Sequence, residues 1–156
     1  AIQQGYLTSE PYTIEKTARL RPEVFLLADE GYPGYAGMIL APDALIEKNP
    51  EAIRAFVEAT AAGWTSYLHG DPGPGDAMIR KDNPEMTQDL LDQARTKMRE
   101  YGIVESGEVT GARIGAMTDA RWAEFFAVAS QQGVYPADLD YRRAYTLQFL
   151  PETAAQ

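Results

Sequence analysis

The side chains best suited to binding a ligand stand within the first dozen residues, in the segment QGYLTSEPY. Tyr6 and Tyr12 offer aromatic faces on which a flat ring can stack. Thr8, Ser9 and Glu10 add hydroxyl and carboxylate groups that form directional hydrogen bonds, a combination typical of small-molecule pockets. For Glu10 a second interpretation stays open, because a carboxylate in the first turn of a helix is stabilised by the helix dipole.

A second aromatic segment, from Tyr32 through Pro33 and Gly34 to Tyr35, predicts a turn, because proline and glycine interrupt regular structure there. Its two tyrosines could form part of a pocket wall. Packing within the turn is the other interpretation, and both stay open.

The sequence offers few residues of the types that carry out catalysis. The chain has no cysteine, which excludes thiolate catalysis, disulfides and cysteine-based zinc sites. Its one histidine, His69, falls at the end of a predicted helix, where a favourable interaction with the helix dipole accounts for it. Carboxylate pairs such as Asp89 and Asp92 have the spacing of a solvated helix surface. We therefore expect no catalytic residues, no metal site and no cofactor, and we expect that the protein is not an enzyme.

Composition and charge narrow the class of partner. The formal net charge is -9, which argues against nucleic acid and against anionic membrane surfaces, since both attract basic proteins. A small anionic ligand is not excluded, because one arginine or one helix N-terminus can bind it. The apolar runs are much shorter than the 18–20 or so residues that a membrane-spanning helix needs.

The elements that must position these side chains change in type along the chain. Short apolar runs predict strands over residues 3–8, 24–28 and 36–40. Capping residues and helical periodicity predict helices over residues 10–17, 43–48, about 49–69, 83–101, 118–133 and 138–149. Residues 70–75 are predicted to be a break, followed by one or two helical turns at 76–81, and the glycine-rich residues 103–117 are ambiguous. All the strands fall in the first 40 residues, so we expect a segment absent from this chain to complete their sheet.

The order of these elements resembles a known family. The phrases GYLTSEPYTIEK, LIEKNPEAIRAFVEATAAGW and GVYPADLDYRRAYTLQFL are similar to the C-terminal half of ABC-importer solute-binding proteins. The subgroup includes binders of thiamin pyrimidine precursors, riboflavin, nitrate and alkylsulfonates.

The resemblance implies an α/β fold of the type II periplasmic-binding-protein kind, in which two α/β lobes close over the ligand about a hinge. Residues 1–35 would be the last strands of the second lobe, 36–41 the return crossover strand, and 42–156 the C-terminal helical part of the first lobe. The N-terminal half of the same protein would be absent from this chain.

The resemblance also implies a function. The protein would be the substrate-binding component of an ABC uptake transporter in the bacterial periplasm, with the membrane permease as its partner. The ligand would be a small molecule, with a pyrimidine or related heteroaromatic as first choice, and the residues expected to contact it are Tyr6, Thr8, Ser9, Glu10, Tyr32 and Tyr35. The alternatives are a pyrimidine-precursor synthase-like enzyme on the same fold, a nitrate- or sulfonate-type anion binder, and an independent helical interaction module.

Overall fold

The computed structural model describes residues 1–105 and 114–150 of the chain. Its helices are α1 (Glu10–Ala18), α2 (Asp43–Lys48), α3 (Pro50–His69), α4 (Gly73–Asp82), α5 (Gln88–Glu100) and α6 (Asp119–Gln131), followed by a 3₁₀ turn (Tyr141–Ala144). The chain divides into two compact units. Unit 1 comprises Ala1–Val24 and Ala61–Ile114, and unit 2 comprises Phe25–Thr60 and Gly115–Gln156.

Most of the predicted helices are confirmed, and their ends have local causes. Asn49 precedes α3 and its Oδ1 accepts a hydrogen bond from the amide of Ala52 at 3.4 Å. The Thr118 Oγ1 caps α6 by accepting from the amide of Arg121 at 3.2 Å. Gly102, with φ of +59°, follows the end of α5 in the left-handed conformation that glycine adopts most readily.

Three helix predictions are wrong in their extent. The predicted break at residues 70–75 already contains the first turn of α4, which has Pro72 at its N-cap position. Helix α5 begins five residues later than predicted, because the Asn83 side chain caps a local turn, accepting from the amide of Glu85 at 3.2 Å. In place of the helix predicted over 138–149, the structure has the 3₁₀ turn Tyr141–Ala144, because Tyr145 adopts an extended backbone.

The three predicted strands are not formed in the part of the chain that the structure describes. A strand is stabilised by hydrogen bonds to a neighbouring strand, and residues 3–8, 24–28 and 36–40 pair with no such neighbour there. The second and third runs are also largely exposed, with Phe25 at 79% and Leu40 at 96%. The described residues are therefore helical and irregular. The two-lobe α/β architecture and the lobe boundaries 1–35, 36–41 and 42–156 stay predictions.

Unit 1 is built around the contact of α3, α4 and α5. Leu68 and Leu91 are 1% and 2% exposed and supply its apolar core. Beside them the Arg95 guanidinium lies 2.6 Å from the buried Asp76 carboxylate. An ion pair shielded from water in this way ties α4 to α5.

Unit 2 is held together by aromatic side chains. The rings of Trp122 on α6 and Tyr145 stack at 4.7 Å, and those of Phe126 and Tyr141 stack at 4.6 Å. Ala129 and Phe149 are the most buried apolar residues nearby. Rings from α6 and from the C-terminal segment thus make one cluster. Residues 32–35 pack against this cluster, and they directly follow the hydrogen-bonded turn, which lies at residues 27–31.

Candidate functional site

The opening segment turns tightly into α1. The amides of Ser9 and Glu10 both donate to the Tyr6 carbonyl, at 3.0 and 3.2 Å. Helix α1 then begins at Glu10 with Pro11 in its first turn, where a missing amide hydrogen costs little. The Tyr6 side chain is 74% exposed, so its ring faces are accessible for stacking.

The Glu10 carboxylate folds back over this turn. Its Oε2 accepts from the Tyr6 amide at 2.6 Å and from the Ser9 hydroxyl at 2.5 Å. The Ser9 hydroxyl, followed by the Tyr6 amide, lowers the pKa of Glu10, because both donors stabilise the ionised form. Ser9 therefore occupies the N-cap position of α1, but its hydroxyl donates to Glu10 rather than accepting from the helix.

Gly5 is the residue that allows this fold-back. A Cβ atom at position 5 would lie 2.7 Å from the Cβ and the Cγ of Glu10, closer than carbon atoms can approach. Any larger residue would displace the Glu10 side chain. The four predicted residues of this segment, Tyr6, Thr8, Ser9 and Glu10, thus lie together in unit 1, and Tyr6 and Ser9 bind Glu10 directly.

Tyr12 supports the segment from the other side of the helix. Its hydroxyl donates to Oδ2 of Asp89 on α5 at 2.7 Å, and the Lys16 ammonium pairs with the same oxygen. These contacts keep the pKa of Asp89 well below its usual value, chiefly through Lys16. Tyr12 is an anchor of α1 rather than a stacking face, and Asp89 is exposed but paired.

The other two predicted residues lie in unit 2. Tyr32 is 46% exposed, with its ring edge-on to Phe125 at 5.9 Å. A Cβ at Gly34 would come within 2.5 Å of the Tyr32 ring, so glycine is needed for the ring to fold over the turn. The rings of Tyr32 and Tyr35 both contact aromatic rings of α6.

Tyr35 is held on several sides. Its hydroxyl oxygen accepts from the Thr118 amide at 2.9 Å, at the start of α6. The Arg121 guanidinium lies over its ring at 4.5 Å, and the Trp122 ring lies at 5.7 Å. Tyr35 therefore attaches the turn to α6, while Tyr32 keeps more of its surface accessible.

Arg121 was not anticipated from the sequence. Its Nε donates to the Pro33 carbonyl at 2.7 Å and its Nη2 to the Gly34 carbonyl at 3.2 Å. One signal could have singled it out. It stands in the first turn of α6, where the helix dipole disfavours a positive charge unless another contact compensates.

The remaining members of the aromatic cluster are also polar. The Tyr145 hydroxyl donates to Oδ1 of Asp119 at 2.5 Å, and this hydrogen bond raises the pKa of Tyr145 to about 12. The Trp122 Nε1 is buried and has no hydrogen-bond partner in the residues that the structure describes. Stacking on Tyr145 holds the indole in place.

His69 pairs with an acid rather than with the helix end alone. Its Nε2 lies 2.7 Å from Oε1 of Glu105, and both side chains are partly exposed. Over residues 1–105 and 114–150, the structure contains no group of three acidic or histidine side chains that could hold a metal ion. In the same ranges no helix combines the length and the apolar character needed to cross a membrane.

Part of the chain is similar to a known protein family. Residues 1–73 match the family model described as NMT1/THI5 like. This match confirms, for the part of the chain that it covers, the resemblance to the ABC-importer solute-binding family. The first 73 residues are therefore similar to the NMT1/THI5-like family.

A particular relative is the riboflavin-binding protein RibY of Chloroflexus aurantiacus, which is 28% identical to the chain over 153 residues. The alignment covers 94% of this chain and 41% of RibY. The chain thus spans about two fifths of the length of this relative. No solved structure matches the chain significantly.

Proposed function

We propose that the protein binds a small heteroaromatic solute as the substrate-binding component of an ABC uptake transporter. The observation that carries the proposal is the similarity to RibY, which its name describes as riboflavin-binding, together with the NMT1/THI5-like match. In this proposal the chain supplies the C-terminal part of a two-lobe protein in the bacterial periplasm. A membrane permease would receive the ligand from it.

The opening segment supports a ring-shaped ligand with N–H groups. The exposed Tyr6 ring can stack on a flat heterocycle. Beside it, the Glu10 carboxylate is kept ionised by its two donors, both of which bind Oε2. Its Oε1 can therefore accept from an exocyclic amine or a ring N–H, as a charge-assisted hydrogen bond. Pyrimidines and flavins both carry such donors on a planar ring.

Binding without catalysis is the part of the proposal that rests on residue types. The whole sequence has no cysteine and one histidine, which leaves few groups for nucleophilic or acid–base chemistry. Turnover of a pyrimidine precursor by the purified protein would instead favour the synthase-like alternative.

Calorimetric titration of the intact polypeptide that contains this sequence tests the proposal. The ligands are riboflavin, an aminopyrimidine, nitrate and an alkylsulfonate. We expect binding of riboflavin or of the aminopyrimidine. Binding of nitrate or the sulfonate alone would replace the heteroaromatic proposal with an anion binder, and binding of none of the four would refute it.

The variant Glu10→Gln tests the site. Loss of the charge-assisted hydrogen bond is expected to weaken binding by about 1.5–3 kcal/mol, or about tenfold to 150-fold. Glu15→Gln is the matched control, because Glu15 lies on the same helix and its side chain is exposed. Equal affinities for Glu10→Gln and the control would remove Glu10 from the site.

A further inference from the structure

The segment of residues 32–35 needs an external support. Gly31 has φ of +82°, and Gly34 lies three residues further on, so glycines that are conformationally free in the unfolded chain stand on either side of Tyr32 and Pro33. Residues 32–35 follow the turn at 27–31, and among the described residues their backbone is held by the hydrogen bond from the Tyr32 amide to the Leu27 carbonyl at 3.0 Å. Holding one conformation of such a segment requires compensating contacts.

Arg121 supplies three of these contacts at once. Its guanidinium donates to two successive carbonyls, those of Pro33 and Gly34, at 2.7 and 3.2 Å. The same group lies 4.5 Å from the Tyr35 ring centre, in a cation–π contact. A planar guanidinium can satisfy two acceptors and stack at the same time, whereas a lysine ammonium on a flexible stem cannot reproduce this arrangement.

The support leaves one aromatic side chain accessible. Tyr35 is engaged through its hydroxyl with Thr118 and through its ring with Arg121. The Tyr32 ring contacts Phe125 by its edge and remains 46% exposed. Within the turn, Tyr32 is therefore the side chain available for stacking on a ligand.

We infer that Arg121 is a positioning residue, which holds Tyr32 in an orientation suited to stacking on a heterocyclic ligand by clamping the backbone of residues 33 and 34 and the ring of Tyr35. This inference rests on the proposed function. Arg121 itself needs no contact with the ligand, since it acts through the turn that carries Tyr32.

A double-mutant cycle between Arg121→Met and Tyr32→Ala tests the inference by riboflavin or aminopyrimidine titration. Loss of a stacking contact predicts about threefold to tenfold weaker binding for Tyr32→Ala. Arg121→Met is expected to weaken binding to a similar extent in the wild type and to have no further effect once Tyr32 is alanine. Additive effects would overturn the inference, because a general loss of stability does not depend on Tyr32.

Arg54→Met is the matched control. Arg54 also donates to a backbone carbonyl, that of Gln148 at 3.2 Å, and lies over an aromatic ring, that of Phe149 at 5.7 Å. It belongs to the same unit but contacts a different segment. We expect its replacement to leave the affinity unchanged. A loss of affinity equal to that of Arg121→Met would overturn the inference.

Hydrogen–deuterium exchange separates this inference from the proposed function, since it needs no ligand. Arg121→Met should accelerate exchange in peptides covering residues 29–40, and Arg54→Met should accelerate it near residue 148 instead. If Arg121→Met does not fold, Arg121→Lys replaces it and should also accelerate exchange in the turn. Unchanged exchange in the turn overturns the inference even where ligands bind. A wild type that binds no heterocycle refutes the proposed function, and faster exchange would then still support the clamp.

Discussion

The buried ion pair of unit 1 gives the sharpest prediction of stability. Oδ1 of Asp76 accepts from Arg95 Nη1 at 2.6 Å and from the Tyr67 hydroxyl at 2.8 Å, while Oδ2 accepts from Gln88 Nε2 at 2.6 Å. Asp76 is 5% and Arg95 7% exposed, so water cannot take over these contacts. Replacing Asp76 with asparagine removes the charge while it preserves the volume.

The size of the effect follows from what stays behind. The Arg95 guanidinium would remain buried without its buried counter-ion, and breaking a buried pair by removing one partner costs about 3–5 kcal/mol. The lower end is expected, because Asp92 on the same helix still pairs with Arg95. A loss of about 3 kcal/mol is large against a total folding free energy of about 5–15 kcal/mol.

Urea unfolding followed by tryptophan fluorescence measures this loss in unit 1. The chain has two tryptophans, and Trp64 lies in unit 1 with its ring 6.1 Å from that of Tyr67. In a Trp122→Phe background, Trp64 is therefore the reporter of the segment that contains the ion pair. Asp76→Asn should lower the urea midpoint strongly in that background.

A second variant distinguishes a broken pair from a general packing defect. In Asp76→Asn/Arg95→Met the charge is removed together with its partner, so the double variant should be more stable than Asp76→Asn alone. A loss below about 1 kcal/mol for Asp76→Asn, or a double variant no more stable than Asp76→Asn, would refute the electrostatic reasoning.

Two further predictions concern the candidate site and pH. Gly5→Ala should displace the Glu10 side chain, whose Cβ lies 2.7 Å from the position of the added methyl group, and weaken ligand binding as Glu10→Gln does. Gly37→Ala is its control, since open space surrounds that position, and unchanged binding in Gly5→Ala would contradict the fold-back of Glu10. Burial opposes ionisation of Asp76, but hydrogen bonds from its neighbours outweigh burial and keep its pKa below the usual value of 3.8. The stability that ionised Asp76 contributes is then complete above pH 3.8, and it is lost as the pH falls through the lower pKa of Asp76 in the folded state. As the pH is lowered, the urea midpoint should fall less steeply for Asp76→Asn than for the wild type. Parallel curves for the two proteins would contradict this.

The sequence predicts those parts of the fold that depend on neighbouring residues. The starts of α3 and α6 follow from capping side chains three residues before the amides they accept from, and the end of α5 follows from Gly102. The cluster of Tyr6, Ser9 and Glu10 is predictable for the same reason, since its contacts span at most four residues. Such contacts form with little loss of chain entropy, so local sequence specifies them.

The predicted strands depend on pairing that the local sequence does not determine. Residues 24–28 and 36–40 have the composition of buried strands, but a strand forms only when a second strand supplies its hydrogen bonds. In the part of the chain that the structure describes, no such pairing occurs, and the apolar side chains of these segments are largely exposed.

The tertiary structure alone decided which partners hold the candidate binding residues. Tyr12 meets Asp89 across 77 positions of sequence, Tyr35 meets Thr118 across 83, and Arg121 reaches the carbonyl of Pro33 across 88. No local pattern distinguishes these side chains from exposed charged and aromatic residues elsewhere. Their partners depend on how helices α5 and α6 pack within their units, because only packing brings donors and acceptors so distant in sequence within about 3 Å of each other.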